Sequence, residues 1–328
     1  MAVKIVITGG AGFLGSSLAR QLLKRGTAAG PDGKPTEIRE IMLVDLVPAA
    51  IDDPRVRNVV VKELNRSALG AALGRDTDSV FHLAAVVSAG AEADFDLGMT
   101  VNVDGIRTVL ETCRTLPRPP RLVFTSSIAA FGGALPAVVP DGQAVTPTNS
   151  YGAQKAIGEL LVADYARKGF IDGRSMRLPT IVVRPGRPNK AASSFASGII
   201  REPLNGEDAI CPISPETKVW ILSPRRAVAA LMTAHDLPAA TWGPRAALNL
   251  NGLTVTVGEM AASLGRVAGP TVAARIKWQP DAALQAIVGG WPGEFDTQRA
   301  RALGFTPDAD MDAIIRAYIE DHLPGGPR

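Results

Sequence analysis

The run Lys4-Ile-Val-Ile-Thr8-Gly9-Gly10-Ala11-Gly12-Phe13-Leu14-Gly15 decides the fold. Its first half is short, apolar and β-branched, which suits a buried, pleated strand. Its second half places glycine at 9, 12 and 15. Leu14, Leu18, Leu22 and Leu23 then follow at helical spacing until Gly26. Strand, glycine turn and helix form the setting in which such spacing carries meaning. The first glycine permits a tight turn, the second lets a pyrophosphate approach the backbone, and the third lets helix pack on strand. The bland alternative is a glycine-rich turn that binds nothing.

Working outward, residues 27–36 carry two glycines and two prolines and read as an inserted loop. A second strand, 41–45, ends in Asp45, an acid placed to bond both ribose hydroxyls of an adenosine and to repel a 2′-phosphate. That selects NAD. The interval from the glycines exceeds the usual ~20 residues, and the loop accounts for the excess. Further strands are expected at 59–62, 79–83, 121–125 and 180–184. Asn102 opens a helix that runs through Leu110 and Cys113, and another helix runs from Tyr151 to Gly169. This alternation predicts an α/β chain with a doubly wound parallel Rossmann sheet.

Beyond Pro185 the composition changes to short helices (194–200, 224–235, 257–267, 310–320) and short strands (218–222, 246–250) punctuated by proline and glycine. Ser223 before Pro224 reads as a helix cap followed by proline at the first helical position. Residues 1–185 are therefore expected to form a dinucleotide-binding domain carrying the catalytic groups. Residues 186–328 form mainly a smaller α+β substrate lobe, with some segments returning to the first domain.

The chain has 328 residues, 46% of them hydrophobic, enough for a substantial core. Its net charge is +3 and its pI about 9.0, without a basic block or an aromatic-interleaved basic stripe. The excess is diffuse, which argues against a nucleic-acid partner and is compatible with anionic small molecules. Cys113 and Cys211 show neither metal spacing nor a disulfide framework, and His82, His235 and His322 are too scattered for a metal site. No leader and no apolar run of ~18 residues is visible. The expectation is a soluble, cytoplasmic protein with no metal and no membrane contact.

Tyr151 and Lys155 stand four residues apart on one helical face. A phenol is a poor base at neutral pH, and an ammonium one turn away favours the phenolate. Alone, the pair is weak, since many surface helices contain it. Here a glycine turn, an acidic strand end and the serines Ser126 and Ser127 at the end of another strand accompany it in the order a dinucleotide fold requires.

These motifs resemble the extended short-chain dehydrogenase/reductase family, also called the NAD-dependent epimerase/dehydratase family. The resemblance rests on Thr8 to Gly15, Asp45, His82-Leu83-Ala84-Ala85, Asn102-Val103-Asp104-Gly105, Thr125-Ser126-Ser127 and Tyr151-Gly152-Ala153-Gln154-Lys155, with Asp296-Thr297, Arg299 and Leu303-Gly304-Phe305 towards the end. It covers nearly the whole chain. It implies that Tyr151 is the general base, that Ser127 bonds the reacting oxygen, and that Lys155 holds the nicotinamide ribose and favours the phenolate. It also implies an NAD cradle of Gly9, Gly12, Phe13, Leu14, Gly15, Asp45, Leu64, Ala84, Asn102, Ser126, Tyr151, Lys155 and Pro185, and a homodimer packed through the Tyr151 helix. For Asn102 the alternative is a helix cap.

More narrowly, Phe81 to Ser88, Ala91 to Leu97, Tyr151 to Leu160, Val183 to Asn189 and Ala192 to Pro203 resemble the branch of that family acting on C4 sugar acids of the D-erythronate type. The implied reaction is NAD-dependent oxidation to a 2-oxo acid. Two departures from nucleotide-sugar members agree: Phe131-Gly132 stands where those carry Tyr-Gly, and Lys218-Val219-Trp220 and then Ser223-Pro224-Arg225 stand where those read Arg-Asp-aromatic before a strand and Asp at the next helix. A small hydroxy acid needs its carboxylate recognised, and a guanidinium fits that geometrically. Candidates are Arg184, Arg187, Arg201 and Arg225, with Ser88, Ser193 and Ser194 as hydroxyl partners; Arg187 is favoured and Arg225 second. Other uronate or sugar-acid dehydrogenases, a nucleotide-sugar epimerase and a non-catalytic NAD-binding sensor stay open as alternatives. An intact Ser127, Tyr151 and Lys155 count against the last.

Overall fold

The computed structural model describes residues 2–65, 69–70, 72–186 and 192–327. Its strands are β1 (Val3–Thr8), β2 (Thr27–Ala29), β3 (Pro35–Asp45), β4 (Val56–Val60), β5 (Ser79–His82), β6 (Arg121–Ser127), β7 (Asp172–Leu178), β8 (Thr180–Ile181), β9 (Ala209–Cys211), β10 (Lys218–Leu222), β11 (Ala247–Asn249), β12 (Leu253–Thr256) and β13 (Ile276–Trp278). The chain divides into two compact units. One comprises residues 1–130, 149–177 and 228–248; the other comprises 131–148, 178–227 and 249–328.

The main sheet runs β11-β7-β6-β5-β1-β3-β2, with β4 also paired to β3. Strands β4, β3, β1, β5 and β6 pair in parallel. This is the α/β doubly wound order, reversing between β1 and β5, and ligands of open α/β sheets bind at that reversal, beyond the carboxyl ends of the strands. All six residues of β1 are buried, as expected of a central parallel strand covered on both faces. On one face Val6, Val80, Leu122 and Phe124 pack with Ile106, Val109, Leu110 and Val162 from the helices.

Three expectations change. Residues 27–36 are a hairpin, not a plain loop: β2 pairs antiparallel with the start of β3, Thr27 opposite Glu37 and Ala29 opposite Pro35. The strand that follows the Tyr151 helix is β7, which lies beside β6; of 180–184 only Thr180–Ile181 is a strand, and it pairs with β10. Asn102 does not cap a helix. It lies inside a π-helical segment, Met99–Asp104, that leads into the helix Gly105–Cys113.

The second unit holds the sheets β12-β10-β8 and β13-β9. Its core gathers Ile199, Ile200, Val219, Ile221, Met260, Leu264, Ile314 and Ile315. Ser223 caps the helix Pro224–Asp236 by accepting from Arg226 N at 3.2 Å, as the Ser-Pro pair implies. No helix among the described residues is long and apolar enough to cross a membrane.

Candidate active site

The glycine turn is shaped by what it excludes. Gly9 has φ +71°, which side chains rarely adopt, and a Cβ there would stand 2.7 Å from Ala84 N. A Cβ on Gly15 would overlap Gly9 O, while Gly12 is exposed. The turn is held to β3 by Gly9 N donating to Val44 O at 2.9 Å. The helix Phe13–Arg25 begins at Gly12 with no side-chain cap and no acid in its first turn, which suits an anion at its positive end. Asp45 Oδ2 accepts from Ala11 N at 2.9 Å and Oδ1 from Leu46 N at 2.7 Å. A carboxylate has about four acceptor positions, so a fixed Asp45 can still receive ribose hydroxyls. The turn thus fits a dinucleotide: its tightly packed backbone leaves Gly12 exposed at an uncapped helix start, which suits a pyrophosphate.

At the end of β5, His82 Nδ1 and Thr8 Oγ1 share a hydrogen bond of 2.7 Å, and the ring stacks on Phe124 at 5.8 Å. Burial, and then the nearby Lys155 cation, hold its pKa down to about 3, so it is neutral. The Asn102 side chain accepts from Val86 N and donates to Val86 O, each at 2.9 Å, and also donates to Gln154 Oε1 at 2.7 Å. Asn102 therefore ties the chain beyond Ala84 to the helix Ser150–Arg167. Leu64 is half-buried against the core helices.

That helix starts where Asn149 Oδ1 accepts from Gly152 N at 2.8 Å and Glu92 accepts from Ser150 N at 2.9 Å. Gly158 lets it lie close on β6, since a Cβ there would meet the Phe124 ring at 2.7 Å. Tyr151 and Lys155 then share a face, Nζ lying 5.6 Å from the Tyr151 ring centre and 4.9 Å from that of Phe124. Lys155 is buried and donates to Thr125 O at 2.9 Å. Desolvation lowers its pKa from 10.5 to about 8, while the Glu159 carboxylate acts in the opposite direction. An ammonium has three donors, so two N–H groups besides the one on Thr125 suit a ribose diol. Ser127 ends β6, its Oγ accepting from Ala129 N at 3.1 Å. That leaves its hydroxyl proton to donate.

Four buried groups in this unit have no role assigned from the sequence: Glu159, Arg177, Thr8 and Gln154. Ser126 Oγ donates to Glu159 at 2.5 Å, and Arg177 from β7 forks onto the same carboxylate at 2.6 to 3.1 Å. Glu159 stands four residues after Lys155, a helical spacing that could have revealed it.

Ser88 begins a short helix, Ser88–Ala93, in the first unit. In the second unit Ser193 and Ser194 start the helix Ser194–Leu204, and Arg184 and Pro185 are half-buried. Arg201 is buried, bonding Arg184 O at 2.9 Å and Glu202 at 2.6 Å. Arg225 is exposed, with its fork committed to Asp321 and Glu320 at 2.7 to 2.9 Å. This engagement, strong enough to push its pKa upward, disfavours a clamp on substrate. Arg187 lies outside the described residues. The described residues contain no group of acids, histidines and cysteines that could hold a metal ion.

A Rossmann sheet with a glycine cradle, an acidic β3 end and a Ser-Tyr-Lys set at the β6 end defines a dinucleotide-dependent short-chain enzyme. Residues 5–241 match the NAD dependent epimerase/dehydratase family, and the chain belongs to that family. It is 56% identical over 320 residues to a D-erythronate dehydrogenase of Cupriavidus necator, covering 97% of this chain and 98% of that one. A D-erythronate dehydrogenase of Haemophilus influenzae is 44% identical, with 97% and 99% covered. A crystal structure described as a nucleoside-diphosphate-sugar epimerase from Agrobacterium tumefaciens superposes with a TM-score of 0.90 at 40% identity, covering 99% of this chain and 95% of that one.

Proposed function

We propose that this chain is an NAD-dependent dehydrogenase that oxidises D-erythronate at C2 to 2-dehydro-D-erythronate. The observation that carries this reading is the near-full-length identity to two D-erythronate dehydrogenases. The buried Lys155 beneath Tyr151 supports it, because a cation in that place has a use in proton abstraction.

Bound NAD supplies the hydride acceptor. Tyr151, as phenolate, takes the proton of the C2 hydroxyl at its phenolic oxygen. Lys155 stabilises that phenolate and holds the ribose with its N–H donors. Ser127 donates to the reacting oxygen and keeps it within reach of Tyr151. Asp45 accepts the adenosine ribose hydroxyls, and the first turn of the helix Phe13–Arg25 receives the pyrophosphate. Phe13, Leu14, Leu64, Ala84, Asn102, Ser126 and Pro185 complete the cofactor contacts. A guanidinium takes the substrate carboxylate, with Arg187 first among the candidates and Ser88, Ser193 and Ser194 as hydroxyl partners. Cytoplasmic location and a homodimer belong to the same reading. Ile157 and Leu160, 37% and 68% exposed on the Tyr151 helix, support the latter.

One observation favours a second reading: the solved structure at 40% identity is described as an epimerase of nucleoside-diphosphate sugars. The two chemistries differ in redox balance, since an epimerase returns its hydride. Incubation with D-erythronate and NAD, followed at the NADH absorbance, is expected to give net NADH. Conversion of a UDP-sugar without net NADH, together with no turnover of D-erythronate, would replace the first reading with the second.

A further inference from the structure

The catalytic lysine is surrounded by few charges. From its own helix come Tyr151 and Glu159; from β7 comes Arg177; from β5 comes the neutral His82; β6 presents Phe124, Thr125 and Ser126. Glu159 is 4% exposed and its carboxylate is fully engaged: Arg177 Nε bonds both oxygens at 2.9 and 3.1 Å, Arg177 Nη2 bonds one at 2.6 Å, and Ser126 Oγ donates at 2.5 Å. Such a pair costs much desolvation and is often no more stable than an apolar substitute. A buried pair of this kind therefore calls for a use beyond stability. Its position supplies one. Ser126 is the residue after Thr125, whose carbonyl holds Lys155, and the residue before Ser127. Lys155 and Glu159 are one turn apart, so their Cβ atoms stand ~5–6 Å apart.

We propose that Glu159 is a positioning residue of the active site: clamped by Arg177, it fixes the 125–127 strand end through Ser126 and supplies the buried counter-charge that keeps Lys155 an ammonium. Glu159 touches neither substrate nor cofactor and acts through Lys155 and the Thr125 to Ser127 backbone. The inference rests on the reading above only in that Lys155 works on bound NAD.

The test uses NAD binding to the full-length protein, followed by tryptophan fluorescence from pH 6 to 10, alongside kcat and KM for D-erythronate. Glu159→Gln keeps the shape and removes the charge. An opposite charge within a few ångströms moves a pKa by about one unit or more, so the pH at which NAD affinity falls on the alkaline side should drop by about one unit in E159Q. The kcat at pH 8 should fall about tenfold, with KM changed less than about threefold. E159Q removes the charge that faces the buried Arg177 and can cost solubility. The E159Q/R177M variant removes the facing guanidinium as well, and its alkaline displacement should run in the same direction and be no larger than that of E159Q. Wild-type pH dependence and wild-type kcat in either soluble variant overturn the proposal. The binding profile needs no sugar acid, so a failure to oxidise D-erythronate would strike the substrate reading and leave this one standing.

Discussion

Replacing Lys155 by methionine should abolish activity and yet raise the stability of the unliganded protein. The Lys155 ammonium is buried, and the protein holds its pKa at about 8 instead of 10.5. At 1.36 kcal/mol per pH unit, keeping it charged in the fold costs about 3 kcal/mol. Methionine has a similar length, can follow the same path over Phe124 and brings no charge. It forfeits the 2.9 Å bond to Thr125 O, worth about 1.5–3 kcal/mol for a charged donor. The net expectation is a gain of about 0.5–2 kcal/mol, which for a chain of this size is a rise of about 1–3 °C in Tm. The pH dependence fixes the sign. Below pH 8 the lysine is charged in both folded and unfolded chains, and the full cost is present. Between about 8 and 10.5 only the unfolded chain keeps the proton, so the wild type regains stability as pH rises. The K155M advantage should therefore be largest near pH 7 and shrink towards pH 10, in melts followed by circular dichroism. Turnover should fall ~10³-fold or more, with general acid–base assistance lost. A lower Tm for K155M at pH 7, or an advantage that grows with pH, would refute the reasoning.

Three further outcomes follow from the site. Gly15→Ala places a methyl on Gly9 O, and NAD binding measured by calorimetry should weaken ~100-fold or more; Gly142→Ala, whose methyl meets open space, should bind NAD as the wild type does. Asp45→Asn keeps an acceptor for Ala11 N but loses the charge, so kcat/KM for NAD should drop ~10-fold while NADP becomes usable; a variant as selective as the wild type would remove Asp45 as the discriminator. Arg225→Ala breaks only a surface pairing with Asp321 and Glu320, so stability should change by ~1 kcal/mol at most and the KM for D-erythronate by less than about twofold; a tenfold rise in KM would restore Arg225 as the carboxylate clamp.

The features readable in the sequence are those whose physical demand is local. Gly9 needs its positive φ and Gly15 its missing Cβ whatever lies elsewhere, so the turn between β1 and its helix could be placed from spacing alone. Tyr151 and Lys155 share a face because a helix has 3.6 residues per turn. The helix does not start at Asn102 because a π-helical segment, which breaks that period, precedes the helix Gly105–Cys113, and the side-chain partners Val86 and Gln154 are 16 and 52 residues away. The hairpin at 27–36 was hidden by its glycines and prolines, which mark turns and loops alike. Most instructive is β7. Asp172-Gly-Arg-Ser-Met-Arg-Leu178 has no apolar alternation, and its arginines look like surface residues. Arg174 is nevertheless fully buried and Arg177 nearly so. Charged side chains enter a core only with partners, and those partners are contributed by chain segments that a pattern argument cannot see.

Those partners explain why β7 can stand beside β6 at all. Residues three apart on a strand point to opposite faces. Arg177 reaches Glu159 on the Tyr151 helix, one turn beyond Lys155. Arg174 takes the other direction, bonding Ala234 O, His235 O at 3.0 Å, and Asp172 at 2.6 Å, and lying 5.7 Å from the Trp242 ring centre. There His235 is satisfied at both ring nitrogens, by Ser79 Oγ and by Asp236 Oδ1, each at 2.7 Å. One polar strand thus binds a helical layer on each face of the sheet by directional, charge-assisted contacts, where apolar side chains would have tolerated sliding. A Tyr-Lys pair can act only if its helix is fixed along β6 to within a fraction of an ångström. Gly158 sets how closely that helix approaches, and Glu159 with Arg177 sets where along the strand it stops. The least strand-like stretch of the sheet is therefore the one that determines the placement of its chemistry.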